Sequence, residues 1–154
     1  MVSLGRMADL IAHKKARLEY EILEELEAGI ELLGLEVKSL RKKQGKLEGA
    51  HIIVRGAEAY IVGMNIPPYQ PANTKEDYDP ARTRKLLVTK KEMGELAGYE
   101  RQKGLTIVPI SVYNKGSKLK VRIAVARGKK NRDKRQDLKR KDAKREIDRT
   151  MKGR

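Results

Sequence analysis

Leu18-Glu19-Tyr20-Glu21-Ile22-Leu23-Glu24-Glu25-Leu26-Glu27-Ala28-Gly29-Ile30-Glu31-Leu32-Leu33 is the stretch on which the fold turns. Taken with period two, 7 of its 8 even positions are apolar against 2 of the 8 odd ones, the alternation of a half-buried strand. A helical stripe also passes through Leu18, Ile22, Leu26, Ile30 and Leu33, and Leu and Glu are good helix formers. Gly29 and Gly34 count against one uninterrupted helix. The pattern favours strand by a small margin and leaves helix open.

Working outward, the other segments are plainer. His51 to Arg55 and Ala57 to Val62 are short β-branched runs flanking Gly56, as in a hairpin. Thr106 to Tyr113 alternates through Val108, Ile110 and Val112. Asn114-Lys115-Gly116-Ser117 supplies turn chemistry, and the return alternates through Leu119, Val121, Ile123 and Val125. Pro109 has no N–H to donate, so its strand is expected at an edge or with a bulge. Leu35 to Gln44 reads as a short helix with Val37 and Leu40 inward and Gly45 ending it. Thr89-Lys90-Lys91-Glu92 matches a capping box opening a helix with Met93, Leu96 and Ala97 inward and Gly104 closing it. Pro67 to Pro80 is a polar loop. The expected fold is mainly β with helices (α+β): a small antiparallel barrel with two or three helices.

The chain has 154 residues, 39% of them apolar, with neither Phe nor Trp, so one modest core of Leu, Ile, Val and Tyr is expected. Thirty-six Lys and Arg against 21 Asp and Glu give +15, which points to a polyanionic partner. From Lys129 to Arg154, 13 basic residues face 5 acidic ones, so this short segment carries +8 of the total. Its only apolar residues are Leu138, Ala143, Ile147 and Met151, too few to offset the entropy of ordering, and it is expected to be disordered when free. As a helix it would set Ala143, Ile147 and Met151 in one narrow stripe, formed only against a partner. The expected division is a flexible N-terminus over 1–12, a barrel over 13–128 and a basic tail over 129–154.

With no cysteine there are no disulfides, thiolate nucleophiles or Cys-based zinc sites. No run of about 18 apolar residues could span a membrane, and Met1 to Leu10 lacks the form of a signal peptide, so a cytoplasmic protein is expected. No phosphate-loop or dinucleotide signature occurs. His13 and His51 are far apart and read as lone surface or loop residues. The run Glu19, Glu21, Glu25, Glu27 and Glu31 could serve a metal-dependent nuclease, but a solvated strand face is the stronger reading, since no base or nucleophile is placed beside it. No metal, cofactor or enzymatic activity is expected. Lys118, Lys120 and Arg122 alternate with the apolar set of the last strand. They would stand ~6.5–7 Å apart on one face, near the spacing of phosphates along RNA. Arg82, Arg84 and Lys85 form a second basic cluster.

Five motifs then carry a resemblance: His13-Lys-Lys-Ala-Arg17; Glu27-Ala-Gly-Ile30; Gly34-Leu-Glu-Val-Lys-Ser-Leu-Arg41; Asp79-Pro-Ala-Arg-Thr-Arg-Lys-Leu-Leu87; and Ala126-Arg-Gly-Lys-Lys130 with Asp133-Lys-Arg135 after it. In this order and spacing the chain resembles the SmpB family, the SsrA (tmRNA)-binding proteins. The resemblance implies an oligonucleotide-binding-type barrel, with the opening stretch as a strand. It implies a protein that binds the tRNA-like domain of tmRNA and brings it, with elongation factor Tu held indirectly through tmRNA, to stalled ribosomes for trans-translation; a monomer is expected. Glu27, Leu87 and Lys120 occupy positions tied to tmRNA binding. Lys14, Lys15, Arg17, Glu36, Lys38, Ser39 and Arg41 join Arg82, Arg84, Lys85, Lys118 and Arg122 in the expected RNA-binding set. The tail is similar to one that folds as a helix in the empty mRNA channel at the decoding centre. Gly128 would be its pivot, Asp133, Lys134 and Arg135 its start, and Lys129, Lys130, Arg132, Ile147 and Met151 further contacts. Three positions depart from the family pattern: His13 and Leu18 stand where Asn and His are common, so Leu18 is assigned no RNA contact. Arg132 stands where an aromatic or His is common, and a guanidinium can stack on a base in its place. The broader alternative is a generic RNA-binding or ribosome-associated barrel protein.

Overall fold

The computed structural model describes residues 9–73, 77–129 and 138–139. In chain order these form β1 (Asp9–Ala12), α1 (Ala16–Glu19), β2 (Tyr20–Ile30), α2 (Gly34–Arg41), β3 (His51–Arg55), β4 (Glu58–Val62), a 3-10 turn (Pro71–Asn73), β5 (Arg84–Leu87), α3 (Lys90–Arg101), β6 (Leu105–Lys115) and β7 (Lys118–Gly128). The strands make one antiparallel sheet of order β1-β6-β7-β2-β5-β4-β3. β3, at one edge, packs against β6 near the other, which wraps the sheet into a small, partly open barrel. Ala28, Ile30, Ile52, Ile61, Leu86, Ile107, Val112, Val121 and Ile123 fill its interior, with Leu96 of α3 entering from one side.

The opening stretch is a strand, but its alternation serves two faces. Register against β7 slips between Ile22 and Glu24, a β-bulge that admits Leu23 as an extra residue. Before the bulge, Tyr20 and Ile22 pack with Ala124 and Ala126 in a small outer cluster; after it, Leu26, Ala28 and Ile30 enter the main core. Leu18 lies before the strand, in the helical turn α1.

Other expectations shift by a few residues. Asp9–Ala12, expected in a flexible N-terminus, is a strand paired with β6, because Ile11 reaches the core and its backbone finds Val112. The helix expected over 35–44 stops at Arg41, where Lys43 adopts a left-handed φ of 61°. Pro109 sits in an interior strand, and the register slips between Pro109 and Ser111. The last hairpin turns at Gly116-Ser117, since Lys115 and Lys118 still pair. Thr89 and Glu92 form the expected capping box: Glu92 N–H donates to the Thr89 hydroxyl, and Thr89 N–H to the Glu92 carboxylate.

One polar group sits at the centre of the loops. Glu36, third residue of α2 and 0% exposed, accepts the Leu33 N–H at 2.8 Å, closing the start of its own helix. The same carboxylate receives Arg84 Nε at 2.8 Å and Nη2 at 2.5 Å, Arg82 Nε at 3.0 Å and Nη2 at 2.5 Å, and the Tyr78 hydroxyl at 3.1 Å. Arg84, also 0% exposed, spends its remaining donors on the carbonyls of Met64, Arg82 and Pro80. Burial works to raise the Glu36 pKa, but the bonds from Arg82, Leu33 and Arg84 outweigh it and hold the carboxyl below its ordinary value.

Glu36→Ala leaves a buried guanidinium without a counter-charge and is expected to cost about 3–5 kcal/mol in urea unfolding. Because the folded pKa is depressed, the Glu36 contribution is present above the unfolded carboxylate pKa of about 4.3 and is lost as pH falls through the folded value. The wild type should therefore lose stability on acidification below pH ~4.3 more steeply than Glu36→Ala, as followed by thermal melts across pH.

Candidate RNA interface

Registers of the central strands bring one polar surface together. Lys120 of β7 lies opposite Gly29 of β2, which lies opposite Leu87 of β5. Two residues along, Arg122 faces Glu27. Alternation puts these side chains outside, since Ala28, Val121 and Leu86 between them are core. Glu27, Gly29, Leu87 and Lys120 border a groove of about 560 Å³ that is lined also by Glu58, Lys85 and Glu92 among others. A second hollow of about 300 Å³ continues from Gly29, Leu87 and Lys120 towards Arg41 and Lys118. Arg41 is tied to this end by its bond to the Ser117 carbonyl at 3.0 Å.

Gly29 sets the width of the groove floor. A Cβ built there would stand 3.1 Å from the Leu87 Cβ, so the missing side chain lets β5 and β2 pair while Leu87 remains 50% exposed. An exposed leucine amid charges offers an apolar surface for a base or ribose. Lys118, Lys120 and Arg122 alternate along β7 as cations of this face. Lys85 is paired with Glu58 at 2.9 Å. Glu27 is held below the usual carboxylate range, first by the Lys115 ammonium at 2.8 Å, then by the Tyr113 hydroxyl, with burial opposing. It is ionised at neutral pH and can only accept hydrogen bonds.

The remaining expected residues divide. Glu36 and Arg84, expected at the RNA surface, are fully buried and satisfy each other; Ser39 is also buried, donating to the Pro67 carbonyl at 2.5 Å. Period two explains Arg84: it shares a strand face with buried Leu86, whereas Lys85 shares one with exposed Leu87. Arg82 sits at the rim of the same ion network, 30% exposed. Lys38 lies elsewhere, with its ammonium 5.9 Å from the Tyr69 ring centroid. Lys14 borders a different hollow with Lys43 and Lys46, Lys15 precedes α1, and Arg17 pairs with Glu25 at 3.0 Å. His13 is not a surface residue: it is 6% exposed, edge-on to Tyr20, with Nε2 3.5 Å from Glu19. Tyr113, Lys115 and Gly29 were not singled out by sequence as parts of the site, and only the strand registers reveal them. Lys130, Arg132, Asp133, Lys134, Arg135, Ile147 and Met151 lie outside the described residues. At the tail's origin, Lys129 N–H donates to the Glu19 carbonyl at 2.9 Å and its ammonium to the Arg17 carbonyl at 2.8 Å.

Among the described residues no group of three or more His, Asp and Glu is placed to hold a metal ion, and no helix is long and apolar enough to cross a membrane. A cationic barrel with a mixed groove across the outer face of its central strands belongs to the class of polyanion-binding modules. The profile of the family described as SmpB protein matches residues 10–153. The SsrA-binding protein of Microcystis aeruginosa is 48% identical over 91% of this chain and 91% of its own length. That of Sulfurihydrogenibium sp. is 49% identical over 92% of each. A solved structure described as "tmRNA-SmpB: a journey to the center of the bacterial ribosome" superposes with a TM-score of 0.66 at 43% identity, covering 78% of this chain and 84% of that one. The chain belongs to the SmpB protein family.

The close approach at Gly29 yields a direct test. Gly29→Ala obliges β2 and β5 to give by a few tenths of an ångström at Leu87 and should cost roughly 1–3 kcal/mol in urea unfolding, as overpacking does. An unchanged midpoint would show that the two strands separate freely.

Proposed function

We propose that the chain binds the tRNA-like domain of tmRNA and delivers it to stalled ribosomes, so that incomplete proteins are tagged and the ribosomes released. The observation that carries this reading is the extent of the family match, 10–153, which takes in both the barrel and the basic tail. The groove is consistent with it. Folded RNA offers phosphates to Lys118, Lys120 and Arg122, a flat face to Leu87, and donor groups to Glu27. The protein acts as a binding module and not as an enzyme, in the cytoplasm, and needs no cofactor.

Residues 129–154 form the second element, directed to the decoding centre and the mRNA channel. A cationic peptide is drawn into a channel walled by RNA phosphates, and that channel is free only when no message fills it. Gly128 was expected to be the pivot. The residue after it, Lys129, is bonded to two carbonyls of α1.

Lys120→Glu should weaken binding to the tRNA-like domain and flatten the salt dependence of log K by about 0.7–0.9, the share of one phosphate contact. An unchanged slope would put the RNA elsewhere on the barrel. Truncation after Lys129, which keeps both bonds to α1, should leave tmRNA affinity within about twofold and abolish tagging in a reconstituted stalled-ribosome assay; a large loss of affinity would contradict the division into two elements.

A further inference from the structure

Glu27 is one of three carboxylates, with Glu58 and Glu92, in a groove of mixed charge, and a carboxylate repels the phosphates that the nearby Lys120 attracts. Both its oxygens are held: the Tyr113 hydroxyl donates to Oε2, and Lys115 Nζ lies 2.8 Å from Oε1. The two donors differ in kind. Tyr113 is 4% exposed and rooted in β6, so its phenol reaches across β7 to a carboxylate on β2. Arg122, opposite Glu27 in register, sets its guanidinium 5.5 Å from the Tyr113 ring centroid and fixes the ring from the solvent side. Lys115 is 59% exposed on a flexible stem at the end of its strand.

We propose that Tyr113 is a positioning residue for RNA recognition, holding the Glu27 carboxylate in the one orientation from which it accepts hydrogen bonds from RNA. This rests on the groove being the RNA site, as proposed above. The ligand groups that fit are base N–H donors or a ribose 2′-hydroxyl, since an acceptor-only group cannot bond a phosphate oxygen. Packing needs only the ring, which a phenylalanine would supply; the hydroxyl donates to Glu27 and also meets the Arg122 guanidinium. Burial first, and then the Glu27 carboxylate, push the Tyr113 pKa to about 12, so the phenol remains a donor throughout the physiological range. Lys115 is the exchangeable partner. On RNA binding its ammonium can pass to a phosphate, which frees Oε1 for an RNA donor while Tyr113 keeps Oε2 in place.

A double-mutant cycle tests this with the full chain and the tRNA-like domain of tmRNA, using Tyr113→Phe, Glu27→Ala and the double variant, with urea unfolding of each. Tyr113→Phe should weaken binding about tenfold, the order of one hydrogen bond to a charged group, without altering the salt slope, because no cation is removed. In the Glu27→Ala background the same change should cost less than about twofold. Equal losses in both backgrounds would overturn the positioning role, as would no loss from Tyr113→Phe when Glu27→Ala itself weakens binding. If Glu27→Ala and Lys120→Glu both leave affinity unchanged, it is the groove assignment that fails, and the proposal with it. Lys115→Met gives an independent check: it should reduce the salt slope, whereas an unchanged slope would contradict its transfer to phosphate.

Discussion

The Glu36 carboxylate, without exposed surface, gathers donors from every segment that shapes the loop side of the barrel. Leu33 ties it to the end of β2, Tyr78 to the proline-containing loop, and Arg82 and Arg84 to the entry of β5. A buried ion pair is no assurance of net stability, because desolvating two charges costs several kcal/mol. Here nearly every lone pair and N–H is used, which is the condition under which such a network specifies one arrangement. That arrangement sets β5 against β2, and their pairing places Leu87 beside Gly29.

The groove follows from this pairing. Lys120, Gly29 and Leu87 form one row across three strands, and Arg122 and Glu27 the next. Cations alone would hold any polyanion. An exposed leucine and an oriented carboxylate add surfaces that respond to the shape and donor pattern of a folded RNA. The single absent side chain at Gly29 lets the apolar and charged parts meet.

Much of the fold was legible in the sequence. The β3–β4 hairpin, β6, β7 and the α3 capping box follow from alternation and local turn chemistry, and the opening stretch is the strand its period suggested. The bulge at Leu23 was hidden because a bulge preserves the local alternation while exchanging the faces it serves. The candidate site was legible through Lys118, Lys120 and Arg122, and through the family motifs for Glu27 and Leu87. Charge misled at Arg84 and Glu36, since a basic cluster reads the same whether it meets phosphate or a buried carboxylate. The period of Arg84-Lys85-Leu86-Leu87 held the answer, but four residues are too few to fix a face unaided. The partnership of Tyr113 with Glu27 spans β6 to β2 and has no local signal at all.

Hydrogen–deuterium exchange of the full chain, free and saturated with the tRNA-like domain of tmRNA, tests most directly whether the groove holds RNA. Slowed exchange should centre on β2, β5 and the Gly116–Arg122 end of the last hairpin, while β3 exchanges as in the free protein. Protection of β3, with β2 and β5 unchanged, would contradict the account.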